Sequence, residues 1–177
     1  PQTGLLTGYF EPELRARKTR AGRFQFPLHA MPADLPKDRP WYSRAEIMAG
    51  DLLAGHELAW LENALEAFLV HVQGSVLLRF DDGGVMRLGF AGKNGHPYRS
   101  IGAALIDRGE VPAGAMSLDA IRAWCRANPA GIEPLLATNP SYIFFRQAGG
   151  DAALAPIGTM GCPVTADHSL AVDPAHI

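Results

Sequence analysis

Long apolar segments, cysteine clusters and a strong charge of either sign are all missing from this sequence. None of its apolar runs approaches the roughly 20 residues that a membrane-spanning helix needs, and its first residues show no signal-peptide pattern. A net charge of -2 provides no basic field, which argues against nucleic acid as a partner. The sequence has 177 residues, of which 47% are hydrophobic, and this is sufficient for one good core or two small ones.

Cysteine is scarce, and Cys125 and Cys162 are the two that occur. Neither belongs to a CxxC pair, and the six scattered histidines have no spacing typical of a zinc site. We therefore expect no metal centre and no cofactor. Because Cys125 falls in an apolar helical pattern, two separate free thiols are favoured, and a disulfide between them is the alternative.

The densest group of polar side chains lies between Ala91 and Gly102. It combines donors, acceptors and an aromatic ring, at Lys93, Asn94, His96, Tyr98, Arg99 and Ser100. Ser100 precedes an apolar run, so it can cap a helix whose positive end faces this loop. A Walker A motif would need glycine at Arg87 and Ser or Thr at Asn94, which excludes a P-loop. Neutral amides, hydroxyls and rings suit a sugar better than a phosphate.

A predicted β-hairpin brings a second polar cluster to the same place. The apolar runs Val76–Phe80 and Val85–Phe90 flank Asp81-Asp82-Gly83-Gly84, which is a turn signal. The cluster Val72-Gln73-Gly74-Ser75 precedes the first strand, and the polar loop follows the second. Both clusters are therefore expected at the same end of the hairpin, where they would form one wall of a groove.

The other elements are predicted from periodicity and capping signals. Helices are expected from the capping box at Ser43 to Gly50, over Leu58–Val70, Ser100–Arg108, Ser117–Asn128 and Ile132–Thr138. Strands are expected at Leu5–Phe10 and at Tyr142–Phe145, the latter central because it is apolar throughout. The segment Leu14–Arg23 carries five basic side chains and is predicted to be a flexible hairpin or loop. His71 is expected to be a core histidine with satisfied partners rather than a catalytic base.

Five blocks spread over nearly the whole chain occur in an order that is specific as a set. They are GYFEP at 8–12, SRAEI at 43–47, VQGS at 72–75, GKNGHPYRSIG at 92–102 and NPSYIFF at 139–145. Together they resemble the membrane-bound lytic murein transglycosylase A family.

The resemblance implies a mainly β fold with short helices, of the α+β class, divided between two units. Residues 13–148 are expected to form an inserted, β-barrel-like domain that binds glycan. Residues 1–12 and 149–177 are expected to form an incomplete double-psi β-barrel. The Gly- and Ala-rich segment at 147–155 agrees with this division, because such composition is typical of a linker.

The resemblance also implies an activity. Members of this family cleave the β-1,4 bond between N-acetylmuramic acid and N-acetylglucosamine without adding water, which leaves 1,6-anhydro ends. One carboxyl group protonates the leaving oxygen and then activates the muramyl 6-hydroxyl, where most glycosidases use two carboxyl groups. The family's catalytic aspartate is expected beyond Ile177, so we assign no catalytic residue, neither Asp167 nor Asp173. The chain alone is therefore expected to be inactive.

Glycan contacts and a location follow from the same resemblance. The implied contacts are Tyr9, Glu11, Gln73, Ser75, Lys93, Asn94, Tyr98, Arg99 and Ser100. The expected partner is peptidoglycan, whose carboxylates could also meet the basic segment Leu14–Arg23. The expected location is the periplasm, with attachment to the outer membrane through a lipid anchor that would precede Pro1.

Two alternatives stay open. The first is a non-catalytic module that binds murein in the same groove. The second is a two-carboxylate hydrolase that combines Glu11 with Glu57, Glu62 or Asp81. The products separate them, because a transglycosylase leaves anhydro ends, a hydrolase leaves reducing ends and a binding module leaves the glycan intact.

Overall fold

A computed structural model of the chain describes residues 11–149. In this range the strands are β1 (Glu13–Arg17), β2 (Phe26–His29), β3 (Glu57–Leu61), β4 (Ser75–Phe80), β5 (Val85–Lys93) and β6 (Ile143–Gln147). The α helices are α1 (Arg44–Ala49), α2 (Ala64–Gln73), α3 (Ile101–Asp107), α4 (Leu118–Ala127) and α5 (Ile132–Leu136). Short 3-10 turns at Ala113–Ala115 and Pro129–Gly131 precede α4 and α5.

The strands of this range form one mixed sheet in the order β2-β3-β1-β4-β5-β6. β1 runs parallel to β4, and the other neighbouring pairs are antiparallel. A parallel bridge between Ala30, just after β2, and Phe145 of β6 joins the two ends of the sheet. The sheet therefore curls toward a barrel. A curled sheet with short helices confirms the α+β class.

Helix α2 connects two apolar cores. The sheet core takes at least one buried side chain from every strand, among them Ala16, Leu28, Leu61, Leu78, Leu88 and Phe145. One side of α2 adds Ala67 and Val70 to this core, and the other side packs Leu65 and Phe68 against α3, α4 and α5. Full burial of one large apolar side chain stabilises a fold by about 1.5–3 kcal/mol, so α2 holds sheet and helices together.

The prediction of a flexible hairpin or loop at Leu14–Arg23 is wrong at its start, where β1 lies between β3 and β4. Its charges do not prevent this, because the β4–β5 turn supplies acids. Arg15 and Arg17 pair with Asp81 at 3.2 and 2.8 Å, and Lys18 pairs with Asp82 at 3.4 Å. The basic side chains are thus engaged within the chain.

The predicted helix Leu58–Val70 is wrong in its first part, where the structure has strand β3. Ala59 and Leu61 are buried and their neighbours are half-buried, which is the alternation of a strand with one face on the core. The helix begins only after Asn63, whose Oδ1 accepts from the Leu65 N–H at 2.8 Å. The apolar residues of β3 are compatible with both the helical and the strand periodicity. The N-cap at Asn63 is the sequence signal that separates β3 from α2.

The strand predicted at Tyr142–Phe145 exists as β6, but it lies at one end of the sheet order rather than in its centre. Its apolar character has another cause. Phe145 points into the sheet core, whereas Phe144 packs with Ile47 and Leu53 in a third cluster. A strand covered on both faces has the same sequence signature whether or not it is central.

Local signals are otherwise confirmed. Ser43, Ser100 and Ser117 cap α1, α3 and α4, and Ser43 forms the full capping box with Glu46. The Asp81–Gly84 turn joins β4 to β5 in an antiparallel hairpin.

Some predictions concern segments for which no structure is described. The strand at Leu5–Phe10 and nearly all of both pieces of the expected double-psi barrel lie outside residues 11–149, as does Cys162. Cys125 is buried and forms no disulfide within residues 11–149.

Candidate functional site

The turn between α2 and β4 positions the first polar cluster. Gly74 ends α2 with φ +79°, a left-handed conformation that favours glycine, and its N–H donates to the Val70 carbonyl at 2.8 Å. Gln73 is exposed at the end of the helix, and Ser75 begins β4 as a buried residue opposite Gly89 of β5. The cluster therefore lies at the end of the hairpin where β5 leads into the second polar loop, as predicted.

Asn94 holds that second loop to the rest of the fold. Its side chain is 2% exposed, and its Nδ2 donates to the carbonyls of Tyr42 and Pro140 at 2.8 and 2.9 Å. Its Oδ1 accepts from the Tyr142 N–H at 2.8 Å and from the His96 N–H at 3.4 Å. The amide thus joins three segments of the chain and has both of its polar atoms occupied.

Further contacts order the remainder of the loop. The His96 Nε2 forms a 2.7 Å hydrogen bond with the Trp41 carbonyl, and the Arg99 N–H donates to the Asn139 Oδ1 at 3.0 Å. Ser100 accepts from the Ala103 N–H at 3.2 Å as the cap of α3. These bonds leave Lys93, Tyr98 and the Arg99 side chain on the surface.

A pocket of about 300 Å³ opens beside this loop. Its lining combines charged, polar and apolar side chains: Arg44, His71, Val72, Lys93, His96, Tyr98, Asn139, Ser141 and Ile143. Tyr98 is 54% exposed, so its ring is available to a ligand. The pocket lies between the end of α2, the loop after β5 and the segment before β6.

Arg44 is a buried cation in the wall of this pocket. It is 4% exposed, and its Nη2 donates to the Ser141 carbonyl at 2.9 Å and to the His71 Nδ1 at 3.3 Å. The guanidinium carbon lies 4.8 Å from the ring centroid of Phe68 and 4.9 Å from that of Tyr142. Burial lowers the pKa of Arg44 to about 10, which still leaves it protonated at neutral pH.

The two histidines whose rings contact Tyr142, His29 and His71, are uncharged at neutral pH. Burial, reinforced by the charge of Arg44, lowers the pKa of His71 well below its ordinary value. The His71 Nδ1 also accepts from the Ile143 N–H at 3.1 Å, so this nitrogen carries no proton. Burial lowers the pKa of His29 to about 4, and its Nδ1 forms a 2.8 Å hydrogen bond with the Tyr142 hydroxyl. His71 is therefore the satisfied core histidine that the sequence predicts.

A larger pocket of about 470 Å³ lies on the other side of Arg44 and His71, which line both cavities. It extends between α1, α2, β2 and β3. Its lining contains the acids Asp51, Glu57 and Glu133 as well as cations. The sequence predicted one wall of the smaller cavity through Lys93 and Tyr98. It missed the larger cavity and the place of Arg44 in both, because Arg44 was treated only as part of a helix cap.

Glu11 lies away from these cavities. Its carboxylate accepts from the Arg87 Nε at 2.9 Å, and both side chains are nearly buried. Arg87 precedes Lys93 by six positions on β5. Two of the predicted contact residues, Lys93 and Tyr98, line the smaller pocket. The exposed Gln73 follows Val72, which also lines it. Tyr9 is outside the described range.

Of the acids that the hydrolase alternative would combine with Glu11, Glu62 and Asp81 lie on either side of the cation Arg15, at 4.0 and 3.2 Å. Glu62 pairs with Arg23 at 3.1 Å, and Asp81 pairs with the arginines of β1. Glu57 lines the larger pocket and accepts from the Gly55 N–H at 2.9 Å. Glu11 shares a described pocket with none of them, which gives no support to this alternative.

Residues 11–149 contain neither a membrane-spanning helix nor a cluster of metal ligands. No helix in this range combines the length and the apolar character needed to cross a bilayer. No group of three metal-ligating side chains comes together in it.

Comparisons with known proteins point in one direction. A family model described as the MltA specific insert domain matches residues 5–146. Membrane-bound lytic murein transglycosylase A of Escherichia coli (strain K12) is 43% identical over 170 residues, covering 94% of this chain and 45% of that protein. The Vibrio cholerae protein of the same name is 40% identical over 173 residues, with 96% and 45% covered.

Solved structures agree with these matches. The lytic transglycosylase LtgG of Burkholderia pseudomallei has a TM-score of 0.80 at 44% identity, over 98% of this chain and 52% of that chain. Escherichia coli MltA with bound chitohexaose has a TM-score of 0.79 at 43% identity, over 90% and 46%. The chain thus spans about half the length of the relatives it matches.

Proposed function

Because this chain belongs to the lytic murein transglycosylase A family, we propose that it binds peptidoglycan glycan strands as part of a lytic transglycosylase. The observation that carries the proposal is the 300 Å³ pocket beside the loop after β5, where Tyr98 and Lys93 meet the end of α2. One structural relative, the Escherichia coli protein, has chitohexaose bound. A sugar polymer is thus a ligand that a close structural counterpart accepts.

The proposed groove combines an aromatic ring, neutral polar groups and exposed cations. Tyr98 presents an exposed ring on which a pyranose can pack, and Gln73 and Ser75 border the same end of the hairpin. The side chains of Lys93 and Arg99 are exposed next to them. Asn94 and Ser100 contribute by holding the loop, since their side-chain bonds join parts of the protein.

The proposed reaction is cleavage of the bond between N-acetylmuramic acid and N-acetylglucosamine with formation of a 1,6-anhydro end. It requires a carboxylic acid within hydrogen-bond reach of the glycosidic oxygen. The pocket lining contributed by residues 11–149 contains neither Asp nor Glu. We propose that this chain binds the glycan and that the acid, an aspartate C-terminal to Ile177, is supplied by a further segment of the protein.

The proposed domain division is supported by where the chain enters and leaves the sheet. The Pro12 carbonyl accepts from the Leu77 N–H at 2.9 Å, and the Ala148 N–H donates to the Arg87 carbonyl at 2.8 Å. Leu77 and Arg87 are paired neighbours on β4 and β5. An inserted domain of residues 13–148 would have its two connections side by side in this way. The remainder, 1–12 and 149–177, is then proposed to belong to a double-psi β-barrel, in a periplasmic protein anchored through lipid.

Binding is tested with chitohexaose and with soluble murein glycan by calorimetry. Replacing Gln73 or Tyr98 by Ala is expected to weaken binding by about 1–3 kcal/mol, because a polar partner or a packed ring is lost. Leu118, an exposed apolar side chain on α4, provides the control Leu118→Ala. Unchanged affinity in both groove variants, with intact folding, would contradict the groove.

The reaction is tested by product analysis. Residues 1–177 are expected to release no anhydro-muropeptides from murein, and a protein extended through the native C-terminal segment is expected to release them. Replacing the aspartate of that segment by Ala should abolish release again. Anhydro products from residues 1–177 would place the acid within this chain, with Glu11 as the first residue to mutate.

The binding-module alternative is favoured by one observation, the lack of any acid in the described pocket lining. It predicts tight glycan binding with no cleavage even by the extended protein. Reducing ends among the products would instead indicate a hydrolase.

A further inference from the structure

The smaller pocket has an unbalanced charge. Of the nine side chains that line it, Arg44 and Lys93 are cations, and no carboxylate is contributed by residues 11–149. His71 cannot compensate, because it is uncharged and its Nδ1 already accepts two hydrogen bonds. The larger pocket differs, since Asp51, Glu57 and Glu133 lie in its wall. Among the described residues, the lining of the smaller pocket therefore favours an anion more than that of the larger pocket does, where Arg20 and Arg44 face three acids.

Arg44 has unused capacity for an acceptor. No carboxylate of the described residues lies within 4.0 Å of the Arg44 guanidinium, so Arg44 forms no ion pair with them. Its Nε is buried and has no hydrogen-bond partner in the same range. Buried charges in proteins are ordinarily paired, because the cost of removing an ion from water must be offset. The two neutral acceptors of Arg44, the Ser141 carbonyl and the His71 imidazole, offset only part of the cost of burying its charge.

We propose that this pocket receives a carboxylate carried by a muramyl residue of the glycan, with Arg44 in its wall and Lys93 at its rim. The inference rests on the proposed function and adds specificity to it, because chitohexaose has no carboxylate. Murein can offer this group from two sources, the lactyl ether of the muramyl sugar or the attached peptide. Tyr98 would pack on the sugar ring while the two cations recognise its acidic substituent.

The test measures a ratio of affinities for matched glycans. The probes are chitohexaose, a muramyl-containing hexasaccharide with free lactyl carboxylates, the same hexasaccharide with those groups converted to methyl amides, and a peptide-substituted form. The intact chain is expected to prefer the free carboxylates over both neutral probes. Raising the salt from about 50 mM to about 500 mM should reduce the preference, because it screens the charge of Lys93 at the rim.

Two substitutions and a matched control locate the effect. Lys93→Gln is expected to reduce the preference about threefold, as an exposed ion pair would. Arg44→Gln should reduce it about tenfold or more, since a buried charged hydrogen bond is lost. Arg126→Gln removes the same charge from the exposed face of α4 and should leave the preference unchanged. Arg44 also holds the Ser141 carbonyl, so its variant must first be shown to fold, whereas the exposed Lys93 can be replaced without that risk.

The results of these measurements separate the source of the carboxylate, the carboxylate site itself and the proposed function. Preference for the peptide-substituted probe assigns the peptide carboxylate, and preference for the unsubstituted one assigns the lactyl group. Equal affinity of the intact chain for charged and neutral glycans would overturn the carboxylate site but leave the proposed function standing. The same conclusion follows if Lys93→Gln and a folded Arg44→Gln both keep the preference. If the chain binds no glycan, the proposed function fails and the inference fails with it.

Discussion

Asn94 illustrates how a residue in a polar loop can be structural. Its amide accepts from the Tyr142 N–H and donates to the carbonyls of Tyr42 and Pro140. The side chain thus satisfies backbone groups from two distant segments. Tyr142 is buried, so its N–H has no solvent partner once the amide is removed.

We predict that Asn94→Ala lowers the free energy of unfolding by about 3 kcal/mol, because buried backbone groups are left without partners. Urea denaturation measures this value. Gln73→Ala, at an exposed position of the neighbouring cluster, should change it by less than about 0.5 kcal/mol. Equal effects of the two substitutions would show that Asn94 does not hold the loop.

His29 predicts a dependence of stability on pH. Burial lowers its pKa from 6.5 to about 4, with Glu57 and His56 as smaller influences. The unfolded chain therefore binds a proton at higher pH than the folded protein does. Stability from this group is fully present above about pH 6.5 and is lost as pH falls toward 4, by about 3 kcal/mol in all. His71, which is shifted in the same direction, adds to the loss.

Unfolding free energies between pH 7.5 and about 5.5 test this expectation, because nearly all carboxyl groups stay ionised over that window while an unfolded histidine becomes protonated. The His29→Gln variant should show a shallower fall over the same range, because only His71 then contributes. A flat profile for the unaltered protein would contradict the burial of both histidines in uncharged form.

At the scale of elements, two helices end at glycines that serve different purposes. Gly74 ends α2 with φ +79°, whereas Gly50 ends α1 with φ -139°, an extended value open to any residue. A Cβ at Gly74 would meet no atom within 4 Å, and one at Gly50 would lie 3.8 Å from the Glu46 carbonyl. Only the backbone angle distinguishes the two positions.

We predict that Gly74→Ala destabilises the protein by about 1–2 kcal/mol, since a left-handed residue with a Cβ is strained. Gly50→Ala should be close to neutral. Thermal and urea unfolding of the two variants provide the measurement. A larger loss at Gly50 than at Gly74 would be inconsistent with the described caps.

At the scale of the whole molecule, the neighbouring connections at Pro12 and Ala148 predict that the proposed inserted domain, residues 13–148, folds independently. Residues 11–149 should show a single cooperative unfolding transition, followed by the fluorescence of Trp41, Trp60 and Trp124. Residues 31–149 are the control and should not fold, because they lack β1, which separates β3 from β4. An unfolded 11–149 segment would contradict the domain division.

The sequence alone determined those features that depend on neighbours a few positions apart. Ser43 and Glu46 form a capping box three residues apart, Ser100 caps the helix that follows it, and the Asp81–Gly84 turn forms a hairpin. Each of these is decided by local backbone geometry, so its signal is contained in a short window. The ordered set of motifs similarly carried the family, because several blocks in register rarely occur together.

Only the tertiary structure decided what the polar residues do. The basic β1 is a strand because it pairs with β3 and β4, and its charges are matched by Asp81, which is more than 60 residues away from Arg15 and Arg17. Asn94 is structural because its amide bonds to Tyr142, 48 residues further along the chain. Contacts with His71 and Ser141 hold Arg44 in the pocket wall that also contains Lys93. Burial and hydrogen bonding depend on which distant groups fill the space around a side chain. The spacing of residues along a short stretch of sequence does not reveal those groups, because they become neighbours only when the chain folds.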